Sequence, residues 1–248
     1  MTILITGGGS KRGIGRATAL RFAALGRPVA VLDIDAAAAA DTARQAKDAG
    51  SPAVFSAYLD VADPSSVNEA VRAAEAALPP IEVLANIAGI SAPTRFVNIT
   101  LEEWERVFAV NVRGTFLVTQ AVLPGMLSRN RGRIINMSSV SGQRGGGVFG
   151  ASHYSASKAA ILGLTKTLAR ELEGTDITVN AVAPSMVDTD ITHGAMTEDR
   201  KAELARTTLV GRLATPDDVA GVIVFLASPD ASYLTGATID VNGGSHLH

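Results

Sequence analysis

Short apolar runs alternate with longer amphipathic segments along almost the whole chain, and few folds are compatible with that rhythm. Apolar runs of about five residues favour buried strands, and longer segments with a helical period favour helices. Their alternation predicts an α/β fold in which a doubly wound parallel sheet of about seven strands carries helices on both faces. The predicted strands are 2–6, 29–33, 53–59, 81–86, 133–138, 178–183 and 237–241, and the predicted helices are 13–25, 36–49, 64–78, 101–127, 155–172 and 216–227.

The length and composition fit one such unit, and we predict a single domain over residues 1–248. The interval 188–210 is polar and has no obvious strand, so we expect it to cover a ligand site as a loop or helix. A net charge of −2 gives no indication of nucleic-acid or membrane partners, and the lack of cysteine excludes disulfides. The four histidines are scattered and predict no metal site.

The start of the chain lacks the basic and apolar regions of a signal peptide. The longest strongly apolar stretch, around residues 219–227, is too short to cross a membrane. These two features together predict a cytoplasmic protein.

A glycine-rich loop, residues 7–15, joins the first predicted strand to the first helix. Glycines let the backbone turn tightly and approach a pyrophosphate, and the helix N-terminus offers N–H groups that lack intrahelical partners. Strand, glycine loop and helix in this order predict a Rossmann-type dinucleotide site. The alternative is an ordinary strained turn, which glycine also serves.

Asp33 ends the second predicted strand, 18 residues after Gly15. A carboxylate there accepts hydrogen bonds from the adenosine ribose and repels a 2′-phosphate, which favours NAD(H) over NADP(H). Capping of the next helix by Asp33 or Asp35 is the alternative. Lys11 and Arg12 act in the opposite direction, because cations beside the loop can neutralise a 2′-phosphate. NADP(H) therefore stays open as the second choice of cofactor.

Tyr154 and Lys158 are spaced i, i+4, so on one helix they would occupy the same face. A free tyrosine has a pKa of about 10, and a nearby ammonium lowers it towards the range useful for general acid–base catalysis. Ser139 follows the fifth predicted strand and can hold a substrate oxygen beside the Tyr154 hydroxyl. The alternative is a pair of surface residues, because tyrosine and lysine one turn apart occur on many helices.

The chain resembles the short-chain dehydrogenases/reductases over essentially its whole length. The shared residues are Thr6-Gly7, Gly13-Ile14-Gly15, Asp60-Val61, Asn86-Ile87-Ala88-Gly89, Asn111-Val112, Ser139, Tyr154, Lys158, Asn180, Pro184 and Asn242-Gly243-Gly244. Jointly, and in this order, they are highly specific. The resemblance implies an enzyme that interconverts a secondary alcohol and a ketone by hydride transfer, with Tyr154 as the general acid/base.

The resemblance also implies roles for individual residues. Lys158 would bind the nicotinamide ribose, Asn111 would support a water that relays protons, and Thr189 would face the carboxamide. Asp60 and Val61 would lie near the adenine. The implied cofactor residues are Gly7, Arg12, Gly13, Ile14, Gly15, Asp33, Asp60, Val61, Asn86, Ala88, Gly89, Tyr154, Lys158, Pro184, Val187 and Thr189. Relatives are commonly homotetramers built through the long helices that correspond to residues 101–127 and 155–172.

Three positions depart from the family pattern. The glycine loop is two residues longer than usual, which leaves the amides that contact the pyrophosphate undefined. Ile87 stands where a second asparagine is common, and Ser185 follows Pro184 where glycine is usual. Neither change removes a catalytic group, but Ser185 puts the backbone near the nicotinamide in question.

The substrate is predicted from the segment 141–153, which lines the pocket in similar enzymes. Gln143, Arg144 and His153 can bind polar groups, although such residues are often simply solvent-exposed and His153 points away from Tyr154 on a helix. With Ser139 and Tyr154, Gln143 and Arg144 predict a small polar substrate such as a polyol, sugar or hydroxy acid. One alternative is a 3-oxoacyl-[acyl-carrier-protein] reductase that uses NADP(H). A more distant one is a nucleotide-binding sensor without catalysis.

Overall fold

The computed structural model describes residues 1–146, 150–190 and 197–247. Seven strands form one parallel sheet in the order β3-β2-β1-β4-β5-β6-β7. The strands are β1 Thr2–Thr6, β2 Val29–Asp33, β3 Val54–Tyr58, β4 Ile81–Asn86, β5 Gly132–Met137, β6 Ile177–Pro184 and β7 Thr238–Val241. The predicted doubly wound sheet is therefore confirmed, with strand ends within two residues of the predicted ones.

Helices connect these strands and cover the sheet. They are α1 Ile14–Ala24, α2 Ala36–Asp48, α3 Pro64–Ala77, α4 Leu101–Phe108, α5 Gly114–Ser128, α6 Val140–Arg144, α7 Ser152–Glu171, α8 Glu198–Ala205 and α9 Pro216–Ala227. The short helices α6 and α8 were not among the six predicted ones. Helix α7 begins three residues before the predicted start, so that Tyr154 lies in its first turn.

The predicted helix 101–127 is divided by a π-helical turn, Ala109–Arg113, between α4 and α5. The apolar pattern runs without a break across this turn, which explains why the sequence predicted one continuous helix. Leu101–Ser128 is also longer than the apolar stretch at 219–227, and by length and composition alone it could cross a membrane. Val118, Val122 and Met126 of α5 are fully buried against the protein core.

Alternate side chains of each strand point to opposite faces of the sheet and form two cores. Ile3 and Ile5 of β1 pack with α1, α2 and α9, whereas Leu4 packs with α3, α5 and the end of α7. The strand order reverses between β1 and β4, because β2 and β3 lie on one side of β1 and the later strands on the other. In such sheets ligands bind in the crevice beyond the carboxyl ends of the strands at this reversal.

Candidate active site

A cavity of about 730 Å³ lies at this crevice. Among the residues predicted to bind cofactor or substrate, its lining contains Gly7, Gly13, Ile14, Asp33, Ala88, Gly89, Ser139, Arg144, Tyr154, Lys158, Pro184, Val187 and Thr189. Part of the predicted covering segment also faces it, through Leu204, Thr207 and Thr208, which lie in α8 or just after it. Residues 191–196 of that segment lie outside the described part of the chain.

The glycine loop comes so close to neighbouring backbone that two of its glycines have no room for a side chain. Gly7 has φ +72°, and a Cβ there would lie 2.8 Å from the Ala88 backbone. A Cβ on Gly15 would lie 2.3 Å from the Gly7 carbonyl oxygen. Thr6 Oγ1 accepts hydrogen bonds from the amides of Ile87 and Ala88, at 3.1 and 3.2 Å, and so fixes the end of β4 beside the loop. The surface at the start of α1 fits a dinucleotide phosphate.

Asp33 faces the cavity, and it does not cap the next helix. Its carboxylate accepts hydrogen bonds from the Gly9 amide at 2.8 Å and from the Asp35 amide at 3.0 Å. Asp35 is the residue that caps α2, through the Ala38 amide at 3.0 Å. Asp33 therefore lies at the cavity, and its predicted contact with ribose hydroxyls stays a prediction.

Several other predicted cofactor residues, although described, are not part of the cavity lining. Arg12 points to Asp188 and Asp190, and Gly15 lies behind the loop. Asp60 accepts a hydrogen bond from the Ala62 amide at 2.9 Å, and Val61 packs against Gly114. The structure thus gives these residues contacts within the protein, and their predicted contacts with a cofactor stay predictions.

Ser139 and Tyr154 meet at one end of the cavity, which we call the catalytic end because the sequence predicts that both residues are catalytic. Ser139 is the N-cap of α6, and its Oγ accepts a hydrogen bond from the Ser141 amide at 3.1 Å. It is also hydrogen-bonded to the Tyr154 hydroxyl, which lowers the pKa of that hydroxyl. Burial has the larger effect and raises the pKa of Tyr154 above its ordinary value. The two hydroxyls are thus positioned to bind one substrate oxygen.

Lys158 lies one turn after Tyr154 and is almost completely buried. Its Nζ donates a hydrogen bond to the Met137 carbonyl at 2.8 Å and lies 5.8 Å from the centre of the Tyr154 ring. Burial lowers the pKa of Lys158 to about 8. We expected Lys158 to lower the pKa of Tyr154, but the pKa of Tyr154 is raised, since burial outweighs the other influences on it.

Asn111 lies in the π turn and joins helix α7 to the loop after β4. Its side chain exchanges hydrogen bonds with both backbone groups of Ile90, at 2.9 and 3.0 Å, and donates to Ser157 Oγ at 3.0 Å. A Cβ on Gly89 would lie 3.2 Å from Asn111 Oδ1 and 3.3 Å from Lys158 Nζ. Asn111 therefore lies close to Lys158, while its predicted support of a proton-relay water remains a prediction.

A chain of buried polar side chains crosses the sheet behind the site. Asn86 donates to Thr119 and to Asn136, both at 2.9 Å, and Asn136 donates to Thr165 at 3.0 Å. Asn86 thus joins β4 to β5. Asn136 and its contact with α7 were missed, although an amide inside the apolar run Ile134–Met137 is the signal that could have revealed it.

The three polar residues predicted near the substrate have different positions. Gln143 donates to Asp240 at 2.7 Å and lies outside the described lining of the cavity, whereas Arg144 lines it and donates to the Ser245 carbonyl at 2.9 Å. His153 is fully buried and lies 3.1 Å from Glu103. Solvent exposure, the alternative considered for His153, is therefore wrong.

Ser185 does not distort the backbone at the position where relatives have glycine. Its φ lies outside the left-handed region, so a side chain causes no strain there. Its Oγ donates a hydrogen bond to the Asn242 carbonyl at 3.1 Å, and this joins the end of β6 to the segment after β7. The serine thus adds a contact beside the cavity.

Known proteins resemble this chain in sequence and in fold. A family model described as enoyl-(acyl carrier protein) reductase matches residues 7–246. An uncharacterized short-chain type dehydrogenase/reductase of Sinorhizobium fredii is 43% identical, over 100% of this chain and 98% of that protein. The (3R)-3-hydroxyacyl-CoA dehydrogenase of Rattus norvegicus is 41% identical, over 97% of this chain and 94% of the relative.

A solved structure agrees with the curated relatives. The 3-oxoacyl-[acyl-carrier protein] reductase of Brucella melitensis with bound NAD superposes with a TM-score of 0.90 at 35% identity, and covers 100% of this chain and 91% of its own. Sequence and fold therefore match along the whole length that carries Ser139, Tyr154 and Lys158. The chain belongs to the short-chain dehydrogenase/reductase family, whose members are oxidoreductases of CH–OH and keto groups.

Proposed function

We propose that this protein is an NAD(H)-dependent oxidoreductase that interconverts a secondary alcohol and a ketone. The observation that carries the proposal is the meeting of Ser139, Tyr154 and Lys158 in one cavity that extends to Asp33. A nucleotide-binding sensor would need the glycine loop and Asp33, but it would have no use for a hydrogen-bonded Ser139–Tyr154 pair. The geometry therefore favours catalysis.

The residues of the cavity suit a dinucleotide. Gly7, Gly13 and Ile14 would lie against its phosphates, Asp33 would accept hydrogen bonds from the adenosine ribose, and Lys158 would contact the nicotinamide ribose. When bound, the dinucleotide supplies or accepts the hydride. A solved relative with bound NAD supports this choice, and the carboxylate of Asp33 opposes a 2′-phosphate.

Residues of the protein transfer the proton and bind the substrate oxygen. In ketone reduction, Tyr154 donates its hydroxyl proton to the substrate oxygen, while Ser139 holds that oxygen by a hydrogen bond. In alcohol oxidation, Tyr154 accepts the proton. A positive charge on Lys158 favours the phenolate that reduction leaves behind, because opposite charges at this depth interact more strongly than in water.

For the substrate we favour a 3-hydroxyacyl or 3-oxoacyl thioester. The sequence-based preference for a small polar compound depended partly on Gln143, which bonds to Asp240 instead. It depended also on the expectation that thioester reductases use NADP(H), yet one similar reductase has been solved with NAD. Apolar side chains of Val140, Met186 and Leu204 line the cavity and suit an acyl chain.

A small polar hydroxy or keto compound is the second candidate. Arg144 supports it, because this residue lines the cavity and a guanidinium can bind a carboxylate or phosphate. Replacement of Arg144 by methionine separates the two classes, since a hydroxy acid would lose affinity whereas an acyl chain would not.

The direct test follows nicotinamide absorbance with a 3-oxoacyl thioester, a 3-hydroxyacyl thioester, polyols, sugars and hydroxy acids, each with NAD(H) and NADP(H). We expect NAD(H)-dependent turnover of a thioester, and a loss of at least about 100-fold in kcat for Tyr154→Phe. Turnover of polar alcohols alone would identify the second candidate. Tight NAD binding without turnover of any compound would contradict the catalytic proposal.

Location and assembly are also proposals. A cytoplasmic homotetramer remains our prediction from the sequence, and size-exclusion chromatography with light scattering tests the assembly.

A further inference from the structure

Two carboxylates after β6, Asp188 and Asp190, contact the longer glycine loop at the edge of the cavity, which Asp190 lines. We call them the acidic pair. Asp190 accepts hydrogen bonds from Ser10 Oγ and the Arg12 amide, both at 2.9 Å, and pairs with Arg12 Nε at 3.1 Å. Asp188 lies 3.3 Å from Arg12 Nη2. The donors that this part of the loop offers to an anion are therefore engaged by the protein's own carboxylates.

The same loop contacts Asp33 at its other end. The Gly9 amide donates to Asp33 at 2.8 Å, only three residues before Arg12. Arginine has a long side chain and binds phosphate well. Because Arg12 is so near Gly9 in the same loop, it is a suitable residue to neutralise a phosphate beside Asp33. Its ion pairs with the acidic pair instead direct it to the segment after β6.

The charges around Arg12 also keep it paired within the protein. Arg12 faces two carboxylates, and the second cation nearby, Lys201, is shared between Asp188 at 3.0 Å and Glu198 at 2.9 Å. Hydrogen bonds and the guanidinium of Arg12 lower the pKa of Asp190, so this carboxylate is ionised at neutral pH. Arg12 and Lys201 are thus each paired with two carboxylates, and Lys11 is the other cation of the loop.

We propose that Asp188 and Asp190 are specificity-determining residues that strengthen the preference for NAD(H) by withholding Arg12 from the adenosine 2′-phosphate. This inference rests on the proposed function only in that the cavity binds a nicotinamide dinucleotide. Asp33 repels the 2′-phosphate directly, and the acidic pair removes the cation that would compensate for this repulsion. The preference thus has a second determinant, far from Asp33 in sequence.

The test measures dissociation constants for NADH and NADPH by isothermal titration calorimetry, without substrate. The variant is Asp188→Asn with Asp190→Asn, because asparagine keeps an oxygen that can accept from Ser10 and the Arg12 amide while it loses the charge. We expect the ratio of NADPH to NADH affinity to rise about three- to ten-fold, since exposed charges interact only modestly. A purely structural defect would weaken both dinucleotides and leave the ratio unchanged.

Three further substitutions test whether the effect depends on Arg12. Asp217→Asn breaks an equivalent exposed pair with Arg21, remote from the cavity, and should leave the ratio at the wild-type value. In the double-asparagine background, Arg12→Ala should abolish the gain, whereas Lys11→Ala should retain it. An unchanged ratio in the double variant, or a gain that depends on Lys11 rather than Arg12, would overturn the proposal. Failure of the wild type to bind either dinucleotide would instead contradict the proposed function.

Discussion

The two ends of the cavity are held in place by different kinds of contact. At the catalytic end, Lys158 is 3% exposed, and hydrogen bonds within the core hold the residues around it. At the glycine-loop end, Arg12 is 54% exposed and its partners are surface carboxylates. Buried polar contacts are costly to break because a group is left unsatisfied, whereas exposed ion pairs contribute little to stability. The catalytic end is therefore specified by packing, and the loop end is adjustable by charge.

The largest effect that would test this contrast is expected at Gly150, before α7. A Cβ there would lie 2.3 Å from Tyr154 Cδ1, so Gly150→Ala must displace the tyrosine ring. We expect kcat to fall by about 100-fold, because small misplacements of a reacting group are that costly.

Gly163→Ala is the matched control for this substitution. Gly163 lies in the same stretch of chain, within α7, and a Cβ there meets nothing within 4 Å. Alanine should leave kcat unchanged and raise the free energy of unfolding by up to about 1 kcal/mol. If Gly150→Ala retained full activity with a normal fold, the idea that packing fixes Tyr154 would be refuted.

A smaller effect is expected on stability when Lys158 is replaced by methionine. The buried ammonium is unfavourable at pH 7, since burial lowers the pKa of Lys158 to about 8. Methionine should therefore abolish activity yet raise Tm by about 2–4 °C at pH 7, after the loss of the hydrogen bond to Met137.

The pH dependence of that gain provides the check. Between pH 8 and the ordinary lysine pKa of 10.5, folded wild-type protein has released the Lys158 proton while the unfolded chain retains it. Wild-type stability thus rises with pH in this window, and the advantage of methionine should shrink. Calorimetric Tm values that show a constant difference from pH 7 to 10 would contradict burial as the cause.

The smallest effect is expected at the loop end. Arg12→Ala should change the free energy of unfolding by less than about 1 kcal/mol in urea titrations, because the pair is exposed. High salt should reduce even that difference, since ions screen surface charges. A loss above 2–3 kcal/mol, about what a buried group costs, would show that the two ends are not so different.

Much of the architecture was predictable from local pattern. The strand positions followed from apolar runs, and the meeting of Tyr154, Lys158 and Ser139 followed from helical spacing and the end of a strand. The π turn was not predictable because Ala109–Arg113 continues the apolar pattern of its neighbours. The partners of Arg12 could not be predicted because 176 and 178 residues separate them from it. Contacts of that kind depend on how the completed sheet brings distant loops together.

The π turn also limits how this chain can vary. Deleting one residue from Ala109–Arg113 would narrow the turn to that of an ordinary α-helix, because a π turn holds one residue more than an α-helical turn. Val118, Val122 and Met126 would keep their places in the core, but Asn111 would lose the backbone position from which it contacts Ile90 and Ser157. A deletion in this segment should therefore reduce activity more than stability.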